Sequence, residues 1–325
     1  MNKPALAMIM DPIEAIKPWK DSSLAMLLEA QRRGWELHYG QVHDLWLRDG
    51  VAHGRLTELQ VSQDECDWFR LGETHARPLG EFDAILMRKD PPFDMEYIMA
   101  SYVLERAQDA GALVVNAPQG LRDANEKVSL AWFSELAPPT LITRSMTAMR
   151  EFIDQQQKVV VKPLDLMGGR SVFVTSADDG NRNVILETVS QYGKRTIMLQ
   201  TYLPEITQTG DRRILLIDGE PVPWALARIP TAGDHRGNMD AGAQTEVLPL
   251  TPREQYICDR IGPWLRQKGL LFTGIDIIGG YLTEMNVTSP TGIREIEQVA
   301  GPVVTSRLFA AIQQRIQAKT SEVRR

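Results

Sequence analysis

Cysteine is nearly missing from this chain: two residues in 325, Cys66 and Cys258. That is too few for a disulfide framework or a cysteine-rich zinc site. No stretch approaches the length of apolar residues that a membrane-spanning helix needs. Residues 1–10 are weakly charged and run at once into Asp11-Pro12, without the apolar core and small-residue cleavage site of a signal peptide. An excess of basic charge is lacking too: 36 Lys and Arg against 42 Asp and Glu leave a net charge of −6. This argues against a general nucleic-acid binder, which needs clustered cations to neutralise phosphates, but leaves anionic small substrates open. The five histidines show no metal-ligand spacing, and no Gly-x-Ser-x-Gly or His–Cys arrangement suggests a covalent nucleophile. Internal repeats and low-complexity tracts are absent. With 43% hydrophobic and 24% charged residues, what remains is ordinary globular composition in a chain long enough for two or three domains. The expectation is a soluble, reduced, cytoplasmic protein.

Residues 6–10 read as a strand. Asp21-Ser22-Ser23 can cap a helix that runs to about Arg33 and stops at Gly34. Residues 36–39 read as the next strand, whereas 41–80 are polar and irregular and read as loop with small strands. The apolar run 84–87 is a buried strand ended by Asp90-Pro91-Pro92; a helix over about 94–110, Gly111 and a strand at 113–115 follow. Strands alternating with helices imply parallel crossovers, hence an open α/β sheet. A helix over about 121–136 leads to Pro138-Pro139, a boundary candidate. Beyond it the pattern turns to strand pairs joined by glycine turns: 159–161, 172–175, 197–202, 213–217, 221–229, 272–278 and 281–287. Asp218-Gly219 is a tight hairpin turn. A last amphipathic helix, about 303–319, precedes a charged tail expected to fray.

The most informative segment spans 274–286, where Asp276, Glu284 and Asn286 set oxygen-bearing side chains into apolar strands. Glu284 and Asn286 are two apart and share a strand face. Hard oxygen donors suit Mg²⁺, completed by water and substrate phosphates. Register decides whether Asp276 joins them. A two-residue Gly279-Gly280 loop pairs Asp276 with Thr283, while an odd-length loop brings Asp276 opposite Glu284. The odd loop is the expectation, because two buried carboxylates need a shared cation to offset desolvation and repulsion. The alternative is an edge hairpin whose polar face is merely solvated.

A second segment, 162–171, places Lys162 at the end of an apolar strand, followed by Gly168-Gly169. It can hold phosphates by charge and by backbone N–H groups, or be an ordinary strand-end lysine and glycine turn. Arginines recur among turns: Asp211-Arg212-Arg213, Arg228 and Arg236. Their forks suit carboxylates and phosphates, although taken singly each also reads as a surface or ion-paired arginine. Arg88-Lys89-Asp90-Pro91-Pro92 lies at the carboxyl end of a strand, where open α/β sheets bind ligands.

Read in order, these segments resemble the ATP-grasp superfamily, and within it the bacterial glutathione synthetase family. The stretches that carry the likeness are 21–34 (DSSLAMLLEAQRRG), 87–94 (MRKDPPFD), 121–127 (LRDANEK), 162–169, 218–223 (DGEPVP), 226–230 (LARIP) and 283–296 (TEMNVTSPTGIREI), and it extends over nearly the whole chain. The resemblance implies an N-terminal open parallel α/β domain, residues 1–122, and an ATP-grasp domain, 123–313, whose two α+β subdomains clamp ATP; 314–325 is a charged tail. It implies ligation of γ-glutamylcysteine to glycine through an acyl phosphate, with ATP and Mg²⁺ or Mn²⁺, in a cytoplasmic homotetramer with no nucleic-acid or membrane partner. Alternatives are an ATP-grasp ligase for another carboxylate and amine, or a nucleotide-binding protein that has lost catalysis. By position, Lys127, Lys162, Gly168 and Gly169 would hold ATP phosphates; Gln200, Tyr202 and Leu203 would border adenine, with Asp211 near the nucleotide. Asp276, Glu284 and Asn286 would be the metal ligands. Arg213, Arg228 and Arg236 would surround the transferred phosphate, and Arg88, Ser289, Pro290, Thr291 and Gly292 would meet substrate. Residues 231–245 would form a lid. Three positions depart from the family pattern, Leu166, Ala243 and Thr245, where glycine is usual.

Overall fold

The computed structural model describes residues 3–230 and 244–323. Its first sheet is built on β1 (Ala5–Met10), in which every residue is buried. β1 pairs in parallel with β2 (Glu36–Gly40) and β6 (Ala84–Arg88), and β6 with β7 (Leu113–Val115). A strand covered on both faces needs apolar residues at every position, which the run 5–10 supplies. Leu6 and Met8 pack in one apolar cluster with α1 (Ser22–Arg32) and α8 (Val303–Val323). Ala7 and Ile9 pack in another with α2 (Met95–Asp109). Asp21 and Asp94 cap α1 and α2 by accepting from the amides of Leu24 and Tyr97, each bond stabilising its helix by about 1 kcal/mol.

The irregular reading of 41–80 is corrected. This stretch forms β3 (Leu45–Arg48), β4 (Val51–Val61) and β5 (Phe69–Pro78), an antiparallel extension joined to β2 through β4. A bulge between Thr57 and Leu59 shifts the alternation, so the inward residues run Ala52, Leu56, then Leu59 and Val61. That break hides the strand period. The single helix over 121–136 is also absent. α3 (Pro118–Asp123) ends at Ala124, and the Asn125 side chain accepts from the amides of Lys127 and Val128 at 3.1 and 3.0 Å. Such local bonding competes with helix continuation, and a 3₁₀ turn, Val128–Phe133, follows instead.

Two antiparallel sheets come next. The smaller contains β8 (Thr140–Thr143), β9 (Lys158–Pro163), β10 (Phe173–Ser176) and β11 (Ile197–Thr201), in the order β10-β9-β11-β8. It packs on α4 (Met146–Gln156) and α5 (Arg182–Ser190) through its own cluster, including Ile153, Val161 and Leu186. The larger has the order β14-β13-β12-β15-β16, with β12 (Asp211–Ile217), β13 (Glu220–Ile229), β14 (Gln244–Pro249), β15 (Phe272–Ile278) and β16 (Tyr281–Asn286). α6 (Pro252–Gln267), α7 (Ile293–Ala300) and α8 cover it. Among the described residues no helix is long and apolar enough to cross a membrane.

Candidate active site

A cleft of about 860 Å³ lies between the two antiparallel sheets, closed at one end by the loops after β1 and β6. Register builds its charged face. Arg213 on β12 stands opposite Asp276 on β15, which stands opposite Glu284 on β16, and Asp211 stands opposite Arg228 on β13. Since Asp211 and Arg213 are two apart, all five project to one side of the larger sheet. The Asp276 pairing arises differently from the odd loop expected from the sequence. The loop has two residues, Gly279 and Gly280, both at positive φ, and Ile278 pairs with Tyr281. A bulge at Thr283 adds the extra residue on β16, and the Thr283 hydroxyl donates to Asp276 O at 3.1 Å.

Arg213 grips Asp276 with two bonds, Nε to Oδ1 at 2.5 Å and Nη2 to Oδ2 at 2.8 Å. Arg228 reaches Asp276 Oδ1 at 3.0 Å and also pairs with Asp211. Burial works against the Asp276 carboxylate, but Arg213 and Arg228 hold its carboxyl well below the usual range. Asp211 shares Arg228 with Asp276 and is left the poorer partner. Burial pushes its carboxyl up to about 7, and its Oδ1 is enclosed without a hydrogen-bond partner. The Asn286 amide donates to Asp276 Oδ2 at 3.2 Å, leaving its carbonyl oxygen as an acceptor. Among the described residues no three His, Cys, Asp or Glu side chains form a ready metal site. Two carboxylates and one carboxamide oxygen are hard donors too few to fill a coordination shell. That set fits a Mg²⁺ or Mn²⁺ ion that keeps water and phosphate ligands.

Lys127 is buried, with Nζ 2.8 Å from Glu284 Oε1 and 2.9 Å from Leu166 O. Burial alone would weaken its charge, but Glu284 and Glu126 raise the ammonium above the ordinary lysine range. Lys162 on β9 donates to Gln200 Oε1 at 2.9 Å, and burial lowers it. Gly168 and Gly169 adopt φ of 69° and 70° in the β9–β10 loop. Leu166 has no positive φ, so the loop does not require glycine there. Thr245 is likewise an ordinary strand residue, opposite Arg228. Gln200, Tyr202 and Leu203 line the cleft at the end of β11, where the Tyr202 ring takes the Lys158 ammonium 4.2 Å from its centroid.

The residues expected to meet substrate divide. Ser289 and Thr291 line the cleft. Pro290 and Gly292 are buried and do not. Arg88 lies behind the loop, buried, donating to Ser23 Oγ at 3.1 Å and to Pro290 O at 2.9 Å. Arg236 and Ala243, with 231–243 of the expected lid, lie outside the described residues. Asp90, in the 88–92 run that the sequence placed at a ligand-binding strand end, lines the cleft. Sequence reasoning missed Glu126, Lys20 and Asp21 as cleft residues, and of these only Asp21 carried a signal, as a helix cap.

A model of the prokaryotic glutathione synthetase N-terminal domain matches residues 5–122, and one of that family's ATP-grasp domain matches 126–301. The chain belongs to the prokaryotic glutathione synthetase family. Its relatives include the glutathione synthetases of Yersinia pestis, 51% identical over 97% of this chain and 98% of that protein, and of Pseudomonas syringae pv. tomato, 52% identical with the same coverage. A solved D-cycloserine synthetase superposes with a TM-score of 0.70 at 14% identity, covering 96% of this chain and 99% of that one. At that identity the likeness speaks for the fold: an α/β unit followed by an ATP-grasp unit, as the family likeness implied, except that the expected parallel sheet carries the antiparallel extension β3 to β5.

Proposed function

We propose that this protein is an ATP-dependent carboxylate–amine ligase that joins γ-glutamylcysteine to glycine, releasing ADP and phosphate. One observation carries the reading: Lys127, Arg213 and Arg228 converge on Asp276 and Glu284 at the floor of a single cleft. Within a family whose named members are glutathione synthetases, that set has the charges phosphoryl transfer needs. A carboxylate is a poor acyl donor, so its oxygen first attacks the γ-phosphorus, displacing ADP and leaving an acyl phosphate. The glycine amine then attacks the acyl carbon, phosphate departs, and the amine's proton passes to water. Neither step requires a protein nucleophile.

The residues supply placement and charge. An ammonium has three donors, and Lys127 spends two on Glu284 and Leu166, which leaves one for a phosphate oxygen. Lys162 and the amides around Gly168 and Gly169 hold the other phosphates, while Gln200, Tyr202 and Leu203 border the base. Asp276, Glu284 and Asn286 would hold Mg²⁺ or Mn²⁺, which when bound would neutralise charge on the phosphates. Arg213 and Arg228 offset the charge that builds on the transferred group. Ser289 and Thr291 meet the acceptor's carboxylate, with Arg88 supporting them through Pro290. The division at about residue 122, a cytoplasmic compartment and a homotetramer belong to the same reading. Light scattering on the purified chain tests the last.

The deciding experiment is phosphate release from ATP and Mg²⁺ with γ-glutamylcysteine and glycine added separately and together. Release that needs both, with the tripeptide as product, is expected. Release indifferent to glycine points to another amine, and ATP binding without release under any combination overturns the ligase reading.

A further inference from the structure

Residues 125–127 sit where three parts of the cleft meet. Asn125 Nδ2 donates to Leu164 O at 3.1 Å and Lys127 Nζ to Leu166 O, so both ends of the triplet hold the loop after β9. Between them lies Glu126, a cleft-lining carboxylate with no part in the ligation derived above. Its Oε1 accepts from the Val287 amide at 2.9 Å, the Thr288 amide at 3.1 Å and the Thr288 hydroxyl at 2.8 Å. Its backbone oxygen accepts from the Met285 amide at 2.9 Å. The Val287 carbonyl is taken from the other side by Asn116 Nδ2 at 2.7 Å. The stretch that leaves the Glu284–Asn286 strand for Ser289 and Thr291 is therefore clamped on both sides at its first peptide unit.

One carboxyl oxygen receiving three donors from two successive residues is a clamp that an alanine cannot provide and an amide oxygen provides less strongly. Burial and the nearby Glu284 raise this carboxyl above its usual range, so the position is costly for an acid. A side chain needed only to fill space would not be one. We propose that Glu126 is a positioning residue for the ligation: it fixes the 287–292 loop, where the acceptor carboxylate is read, relative to Lys127 and Glu284, where phosphoryl transfer is held. The assignment rests on the ligase reading for the loop's role, and on geometry alone for the clamp.

Steady-state kinetics and amide hydrogen exchange on Glu126→Ala and Glu126→Gln test it. Glu126→Ala is expected to raise the glycine KM by about 10–100-fold, the scale of an ångström of misplacement. The ATP KM should stay near wild type, and the Val287 and Thr288 amides should exchange faster. Glu126→Gln, which keeps shape and an acceptor oxygen, should fall between and stands in if the alanine variant does not fold. An unchanged glycine KM, or ATP and glycine KM values rising together, overturns the proposal. If wild-type protein shows no glycine-dependent turnover, the ligase reading fails by itself. The exchange arm then still decides the clamp: unaltered rates at 287 and 288 in both variants overturn it.

Discussion

Asp211 and Asp276 are carboxylates of one sheet face that share a single arginine, yet their proton affinities move in opposite directions. Asp276 has Arg213 to itself as well, through two bonds, while Asp211 has only its share of Arg228. The sign for stability follows. The folded Asp211 carboxyl keeps its proton up to about pH 7, whereas the unfolded one releases it near 3.8. As pH rises between those values the unfolded state loses its proton first, so this group's contribution to stability falls with pH and levels off above the folded value. Replacing it with the neutral Asp211→Asn removes that slope, which for one proton is up to about 1.4 kcal/mol per pH unit. Denaturant unfolding of ligand-free wild type and variant at pH 4, 5.5 and 7 should therefore show the variant gaining relative stability as pH rises. A difference between the two proteins that stays constant across this range would sink the assignment.

At the scale of elements, the β15–β16 hairpin sets the spacing of the candidate metal ligands, and its turn can be tested alone. Gly279 has φ 56°, and a Cβ there would meet Glu205 Cδ at 2.9 Å. Two costs could follow from Gly279→Ala, the left-handed backbone and the contact. The Glu205 carboxyl end can swing aside, but φ cannot relax without breaking the turn. The backbone cost, about 1–2 kcal/mol, should dominate. A double-mutant cycle with Glu205→Ala separates them: most of the loss should persist without the Glu205 carboxyl, and a loss that vanishes would mean the contact was the cost. The same hairpin shows where the sequence was legible. The oxygen donors, the glycine turn and the two strands were readable from residue type. The bulge was not, because Thr283 is an ordinary strand residue whose role comes from one bond to Asp276 O. Other elements escaped for local reasons. α6 carries Pro263 in its interior, α7 has eight residues, and the alternation of β4 breaks at its bulge. Glu126 was illegible for a different reason, since its side-chain partners are more than 160 positions away.

At the scale of the whole molecule the described residues form three apolar clusters, and their membership predicts how the protein comes apart. The first sheet and the larger antiparallel sheet share a core: Leu6 and Met8 of β1, Leu215 of β12 and Phe309 of α8 lie in one cluster, with Phe309 edge-on to Trp35 at 5.8 Å. One face of the smaller sheet packs in a cluster drawn only from residues between 141 and 199, while on its other face Met198 and the partly buried Ile142 join a cluster shared with the larger sheet. With most of its apolar packing its own, its opening should be separable from unfolding of the rest. Leu186→Ala, a buried truncation worth about 2–5 kcal/mol, should speed amide exchange through β8 to β11 while β1 and β12 keep wild-type protection. Phe309→Ala should speed β1 and β12 together, because one side chain serves both sheets. A nucleotide that contacts Lys162 on one sheet and Lys127 beside the other links the two units, and ATP at about 100 times its Kd adds roughly 2.7 kcal/mol to the bound form. Saturating ATP and Mg²⁺ should then restore protection to β8–β11 in Leu186→Ala. Exchange that accelerates equally in all three sheets of that variant would mean the protein opens as one unit, and a clamp able to move by itself would have to be given up.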